Sequence, residues 1–588
     1  MPPMPRARNL LLPAGAFAAT LLLLGAPGPG GERGKAAPFP LKDGYYVRPV
    51  YFVAGDETPS DPAWKAKLQT MFILFRRFYA EEMKRNGFGY REFNMEAEAD
   101  GRPRIYLVRG KKKALEYRGK PEPGKQEGRG DAGIIQAELE EIFDKDKSLV
   151  VVMASFSPWI GGRHVTPHTR GGYAFVGDAD AYIPGSFERD FLRFLSPTVE
   201  GQMAIFKDMS VPKNPADPSK GWTTAAIASA RIGGTAHEIA HALGAQHAAE
   251  GTDLIGFGMY SFRDYFLPPP GKPRPPAASC HVGPGYALLY GNSAFFRPET
   301  AYADQTDPDL DVEIPFVLPG QPIPFKISGS DAGSGPALVG IDFEGVTKHI
   351  EDLRKSEKRF AYEYSLKPDK PLAPGMHQAG VCLWDKASLR TYAYPSFRVV
   401  RKVPPVPPPP SLDPREVVYL EDDLEVVKWD TAGPDKSTGS GGEWCWSGVY
   451  KASGKRGIVH PTEAGKQKDI FLFSAPKSLS LKPGDQLTFY VYVDPNDRPE
   501  TIAVSWFKNT WGWSTTAYWG ADRLVNWDKS RPTRVRMGDL PSGKGWVRLA
   551  VPPAAVGMDG KAVGGIQLQA VGGGNVFWDR FGKLPRRP

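Results

Sequence analysis

The stretch Thr235–Gly251 reads TAHEIAHALGAQHAAEG. His237 and His241 stand four residues apart, so on a helix their imidazoles project to the same side, one turn apart. Two ring nitrogens placed in this way can grip one metal ion. Gly244 lacks a Cβ and can enter the left-handed conformation that ends a helix and reverses the chain. That reversal is expected to return His247 as a third ligand. Three neutral imidazoles around zinc leave the fourth tetrahedral corner to water, the open arrangement that separates catalytic from structural sites. Glu238 neighbours a ligand without being one. The expected chemistry is therefore a zinc-bound water activated by Glu238, attack on a carbonyl, and return of the proton to the leaving amine. A lone H-E-x-x-H also occurs on ordinary Ala-rich helices. Here three of the nine histidines of the chain fall within eleven residues, and the longer pattern matches, which favours the metal.

His237, Glu238, His241, Gly244 and His247 stand as in the motif H-E-x-x-H-x-x-G-x-x-H, and in this the chain resembles the metzincin clan of zinc metallopeptidases. Met259, in GFGMYSF, looks like that clan's Met-turn, which lies beneath the zinc. The resemblance is specific from His237 to Met259 and extends in architecture over Tyr45–Thr300. It implies that the strand before the active-site helix aligns substrate, a role the segment GGYAFVGD would fill. Ser261 stands where astacin-like members carry a tyrosine ligand, so no fifth ligand is assigned, and Tyr260 and Tyr265 are left as residues to locate against the metal. No cysteine-switch propeptide is visible. His164 and His168 in GGRHVTPHTRGG suggest either a second metal site or a polar loop, with no clear third and fourth ligand.

Working outward from the motif, helical character spans Thr223–Leu243, and a short helical piece, YALLYG, lies at Tyr286–Gly291. Upstream, Tyr45–Ala54 is rich in β-branched and aromatic residues and reads as a strand. Trp64, Leu68, Met71, Phe72, Phe75 and Phe78 make one apolar stripe of a helix capped by Asp61 with Pro62 at its first position, ending at Gly87. A strand at Arg104–Val108, a helix at Ile134–Phe143, a buried strand at Ser148–Phe156 and a shorter one near an edge in GGYAFVGD complete an α/β pattern.

Several hundred residues exceed what one core supports. The fold class expected is multidomain: an α/β (α+β) metzincin-like catalytic domain over 38–303, followed by two all-β sandwich domains. Short alternating runs over 307–402 suggest an immunoglobulin-like sandwich. KVPPVPPPPSLDP, Lys402–Pro414, marks a polyproline-type linker set at 403–415 and expected to hold its neighbours apart. The last unit, 416–588, carries ten of the fourteen tryptophans and reads as jelly-roll-like. Trp506, Trp511, Trp513, Tyr518, Trp519 and Trp527 crowd one stretch, which suits either a sugar-stacking platform or a core.

Residues 1–30 place Arg6 and Arg8 before an apolar run from Leu10 to Ala26, the layout of a secretory signal peptide, and no other stretch is long enough to span a bilayer once it is removed. The expected location is extracellular or at the cell envelope. Cys280, Cys382 and Cys445 fall one to each expected unit, which argues against a disulfide framework. The net charge of +8 is spread thinly, with no basic run interleaved with aromatics, so nucleic acid is not an expected partner. The expected partners are a protein or peptide substrate and, for the C-terminal domain, a carbohydrate or cell-surface ligand. Two functions follow: a secreted zinc endopeptidase, or a non-catalytic adhesin or carbohydrate-binding protein with a structural metal site.

Overall fold

Tyr46–Val53 forms strand β1, nearly all of it buried, at the heart of the first sheet of the computed structural model, which describes residues 39–59, 62–118, 132–155, 161–164, 169–177, 224–266, 280–301, 304–421, 445–462, 465–473, 478–508, 512–525 and 534–586. Helix α1, Trp64–Arg85, follows and buries Leu68, Met71, Phe72, Phe75 and Phe78 as its stripe predicts. Its N-cap is Ala63, with no side-chain capping bond, so Pro62 stands one residue outside the helix instead of at its first position. Asp61 lies outside the described residues. Strand β2 (Tyr106–Arg109), helix α2 (Ala132–Glu140), strand β3 (Ser148–Ala154), strand β4 (Gly161–His164) and strand β5 (Gly172–Val176) come next.

The sheet order is β2-β1-β3-β5-β4, with β1, β2, β3 and β5 parallel and β4 antiparallel to β5. Both faces are covered, as a parallel sheet requires. Val47, Tyr51, Val151 and Met153 face a core shared with α1, whereas Val50, Phe52, Val150 and Val152 face a second core closed by Ile135 and Leu139 of α2. One expectation is corrected here. Strand β5 has β3 on one side and β4 on the other, so its ladder groups are already used and GGYAFVGD cannot add a substrate strand. The edge belongs to β4.

Helix α3, Thr224–Ala242, carries the histidine motif, strand β6 is the two-residue His247–Ala248, and helix α4 is Pro284–Asn292. The next unit is a two-sheet sandwich of β7 (Asp309–Glu313), β8 (Ile323–Ser330), β9 (Pro336–Phe343), β10 (Val346–Asp352), β11 (Arg359–Leu366), β12 (Gly375–Asp385), β13 (Arg390–Ala393) and β14 (Ser396–Val399). One sheet runs β11-β8-β7, and the other runs β13-β12-β9-β10-β6 with β14 on β12. Strand β6, which carries His247, is thus an edge strand of the sandwich.

The first core does not stop at this boundary. Ala337, Leu338, Cys382 and Trp384 of the sandwich join the cluster that holds Phe75, Ile239 and Tyr290. Cys280 and Cys382, expected in separate units, are buried in this one shared core as free thiols. Hydrogen bonds stitch the same joint: Arg170 Nε to Ala387 O at 2.7 Å, Asn292 Nδ2 to Asp385 O at 2.7 Å, Ser388 Oγ to Asn292 O at 2.6 Å and Arg390 Nη2 to Gly171 O at 3.0 Å.

The last unit packs two six-stranded antiparallel-rich sheets around one core. The proline segment before it does not keep the neighbours apart. The Tyr492 hydroxyl donates to Pro405 O at 2.9 Å, Phe316 of the sandwich packs edge-on against Tyr450 and Phe577, and Arg398 Nη1 donates to Gly574 O at 2.9 Å. A polyproline strand with no internal bonds leaves its carbonyls free for such contacts. Trp506 and Trp519 lie in the core of this unit and Tyr518 is buried as well, so these three are not an exposed stacking platform. Trp513 is half-buried against Phe507 and Phe471; Trp511 and Trp527 lie outside the described residues. The expected signal peptide also lies outside them. Among the described residues no helix is long and apolar enough to cross a membrane.

Candidate metal centre

Helix α3 ends in a Schellman reversal. Gly244 N donates to His241 O at 3.0 Å and Ala245 N to Ala240 O at 3.1 Å, while Gly244 sits at φ +118°, where a side chain would be strained. One turn before His237 the helix touches another backbone: a Cβ on Gly233 would lie 2.1 Å from Met259 O. The segment Gly258–Ser261 that carries Met259 is therefore seated directly on α3. Two adjacent glycines inside a helix were the available sequence signal for this contact.

The reversal brings the three rings together. Their centroids are 4.6 Å apart for His237 and His241, 4.7 Å for His241 and His247, and 5.4 Å for His237 and His247. One ligand nitrogen from each lies within 4.8 Å of the others. His237 Nδ1 donates to Leu254 O and His241 Nδ1 to Ala245 O, each at 2.7 Å. A carbonyl oxygen can only accept, so both protons sit on Nδ1 and both Nε2 lone pairs are left for a metal. His241 Nε2 and His247 Nε2 are 3.3 Å apart, and the edge of a zinc tetrahedron with Zn–N bonds of about 2.0–2.1 Å is about 3.3 Å. Burial, with the neighbouring imidazoles, pushes His237 down to about 4 and His241 to about 3, and burial also lowers His247. The set is neutral at physiological pH and ready to ligate. His247 is the exposed member, so the site opens to solvent on its side.

Glu238 is 7 % exposed, and its buried Oε2 has no hydrogen-bond partner among the described residues. Burial pushes its carboxyl up to about 8. A nearby cation offsets that desolvation and favours the carboxylate, so a buried acid next in sequence to His237 fits a divalent ion held by the three imidazoles.

Partners that sequence spacing does not reveal hold the ligands in place. Asp253 Oδ1 accepts from Ile255 N at 3.0 Å and Oδ2 from Gly283 N at 2.7 Å, which locks the loop whose Leu254 carbonyl orients His237. Leu254 N in turn donates to His281 O at 2.7 Å. The Tyr79 hydroxyl donates to Ala236 O at 2.8 Å. His247 pairs in parallel with Val346 of β10, and Ala248 pairs with Thr347. The backbone of the third histidine is thus held by the sandwich. Such outer partners fix ring orientation in metal sites.

Of the other residues considered, the Tyr265 hydroxyl donates to Glu81 Oε2 at 3.0 Å and its ring packs on Phe78, so it serves the helix layer. Tyr260 is half-buried and stacks on Phe257. His164 is backbone-paired with Gly172 in β4; His168 lies outside the described residues, and with it the second metal site considered from the sequence.

No family model matches the chain, and no curated protein matches it. Among solved structures, the chain is similar to wild-type OgpA from Akkermansia muciniphila, with 18% identity, 62% of this chain and 96% of that chain covered, and a TM-score of 0.39. A catalytically inactive OgpA in complex with an O-glycopeptide, glycodrosocin, matches at 16% identity over 62% of this chain and 96% of that one, TM-score 0.38. The M60 catalytic domain with two CBM51 domains from Clostridium perfringens ZmpB matches at 9% identity over 91% of this chain and 63% of that one, TM-score 0.15.

Proposed function

We propose that this chain is a secreted, zinc-dependent endopeptidase of the metzincin kind, with its catalytic unit over 38–303 and two β-sandwich units behind it. The observation that carries the proposal is the convergence of His237, His241 and His247, with two Nδ1 protons tied to carbonyls, together with the buried Glu238 Oε2, which has no hydrogen-bond partner among the described residues. The three histidines hold the ion, which supplies Lewis acidity toward water and a scissile carbonyl. Glu238 takes the proton of the attacking water on its carboxylate and delivers it to the amide nitrogen of the leaving group. Leu254 and Ala245 keep the first two rings in the tautomer that ligation needs. Met259 supports the helix from below. The exposed side at His247 admits the substrate, and the location is extracellular or at the cell envelope.

The test is cleavage profiling of the zinc-loaded chain against a diverse library of peptides that includes O-glycosylated ones, with and without chelator, beside Glu238→Ala. The variant should keep its zinc and lose cleavage by about 10²-fold or more. Zinc-loaded unmodified protein that cleaves nothing in the library would instead support the adhesin or carbohydrate-binding alternative.

A further inference from the structure

Three aspartates that play no part in that chemistry meet where the first unit joins the sandwich. Asp304 lies in the connector before β7, Asp331 directly follows β8, and Asp385 ends β12. They are 6 %, 1 % and 0 % exposed, and a carboxylate oxygen from each lies within 4.8 Å of the others. Backbone amides satisfy most of their oxygens. Asp304 Oδ1 accepts from Thr306 N at 2.8 Å and its Oδ2 from Ser334 N at 2.5 Å. Asp331 Oδ1 accepts from Gly333 N at 3.1 Å and its Oδ2 from Gly335 N; Asp385 Oδ1 accepts from Leu389 N at 2.6 Å. Among the described residues no donor reaches the buried Asp385 Oδ2.

The cations nearby are aimed elsewhere. Arg170 pairs with Asp146 and gives its remaining donors to the carbonyls of Ala387 and Asp304 and to Gln305. Lys386 Nζ donates to Ser356 O at 3.0 Å, and Lys358 Nζ donates to Gly333 O. An unpaired carboxylate oxygen in the interior is costly, and two more carboxylates beside it add repulsion. A cation relieves both. The donors are all hard oxygens, which suit calcium and not zinc. With Ca–O bonds of about 2.3–2.6 Å, oxygens on opposite sides of one ion stand about 5 Å apart, so carboxylate oxygens within 4.8 Å of one another can share one ion.

We propose that Asp304, Asp331 and Asp385 form a calcium site that clamps the connector, the β8–β9 turn and the Asp385–Arg390 loop together. Burial pushes Asp385 up to about 7, the Leu389 amide and the Arg170 charge oppose this, and the Asp331 and Asp304 charges add to the rise, so without an ion the alternative is a proton on Asp385. The clamp matters for the whole joint because the same loop supplies Arg390, Ala387 and Ser388 to the first unit.

The experiment uses the full, zinc-loaded chain, stripped with a calcium-selective chelator and then dialysed against millimolar CaCl2 or MgCl2. Bound metals are measured by mass spectrometry and thermal unfolding is followed in parallel. The expected result is about one calcium per chain beside the zinc and a melting temperature raised by about 5 °C with calcium, with little effect of magnesium. Asp385→Asn keeps an acceptor for Leu389 N and should lose calcium and the rise together while keeping zinc. Wild-type protein that retains no calcium overturns the proposal and favours the protonated aspartate; so does calcium binding unchanged in Asp385→Asn. Should the variant fail to fold, luminescent terbium bound by the wild type and displaced by calcium supports the site, and no terbium signal rejects it.

Discussion

Replacing Gly244 by Ala tests whether the helix reversal is what assembles the ligand set. Gly244 holds φ at +118°, and a non-glycine residue in such a region costs about 1–3 kcal/mol. Space is a lesser obstacle, since the new Cβ would meet Arg390 Nη1 at 3.3 Å, Trp384 Nε1 at 3.5 Å and Leu289 Cδ1 at 3.7 Å. The metal-free chain can relieve the strain by relaxing the reversal, which swings His247 away from His237 and His241. Zinc then has to restore it. If about 2 kcal/mol is charged to binding, affinity for zinc falls about 30-fold. The assay is a competition titration against a chromophoric chelator at fixed pH. Gly234→Ala is the control, because a Cβ there meets nothing within 4 Å among the described residues and the helix itself gains about 1 kcal/mol, so its zinc affinity should match the wild type. Gly244→Ala binding zinc within about threefold of Gly234→Ala would refute the reasoning, for it would mean that another conformation carries His247 to the ion at no cost.

Arg390→Ala removes a buried guanidinium that bonds Gly171 O and packs beside Gly244; a loss of about 2–4 kcal/mol is expected in chemical unfolding, with Arg390→Lys restoring less than half, and an unchanged midpoint would mean the joint does not depend on it. Trp506→Ala should destabilise the last unit by about 3–5 kcal/mol, because Trp506 lies in its core; loss of sugar binding with unchanged melting would place the ring on the surface instead. His460 is fully buried, accepts from Trp578 Nε1 at 3.3 Å, and is pushed down to about 3 by burial and the nearby Lys468 charge. Its folded value lies below the unfolded 6.5, so its contribution is intact above pH 6.5 and is lost as pH falls toward 3, by up to about 5 kcal/mol. Tryptophan-detected unfolding at pH 7 and pH 4.5 should show the decline, and His460→Asn should flatten it; an equally steep decline in the variant would assign it to other groups.

The parts of the molecule legible in the sequence are those fixed by near neighbours. His237, Glu238 and His241 share one helix, and Gly244 ends it three residues later, so spacing alone locates them. The stripe of α1 is legible for the same reason. The parts that escape are contacts between residues far apart in the chain. Nothing near Asp253 says that it ties Gly283 and so steadies the carbonyl that orients His237. Strand β5 carries no mark of whether both its edges are taken, since a parallel strand buried on two faces looks alike at the centre and near the rim. Trp506 and Trp519 show the limit from the other side, because aromatic residues in a strand have the same composition whether they face a sugar or a core.

The largest discrepancy concerns the boundary near residue 303. Composition changes there from α/β to all-β, and the change in pattern is real, yet the physical unit continues across it. Strand β6 holds the third histidine and is hydrogen-bonded to β10; Leu338 and Trp384 complete the core under α3 and α4. A two-residue strand cannot hold its place by itself, so the position of His247 depends on a sheet whose other members lie about a hundred residues downstream. The cost of ordering the reversal at Gly244 is thereby met by packing in the neighbouring sandwich. This makes the sandwich a structural part of the histidine cluster instead of a spacer behind it, and it explains why two cysteines assigned to separate units share one core.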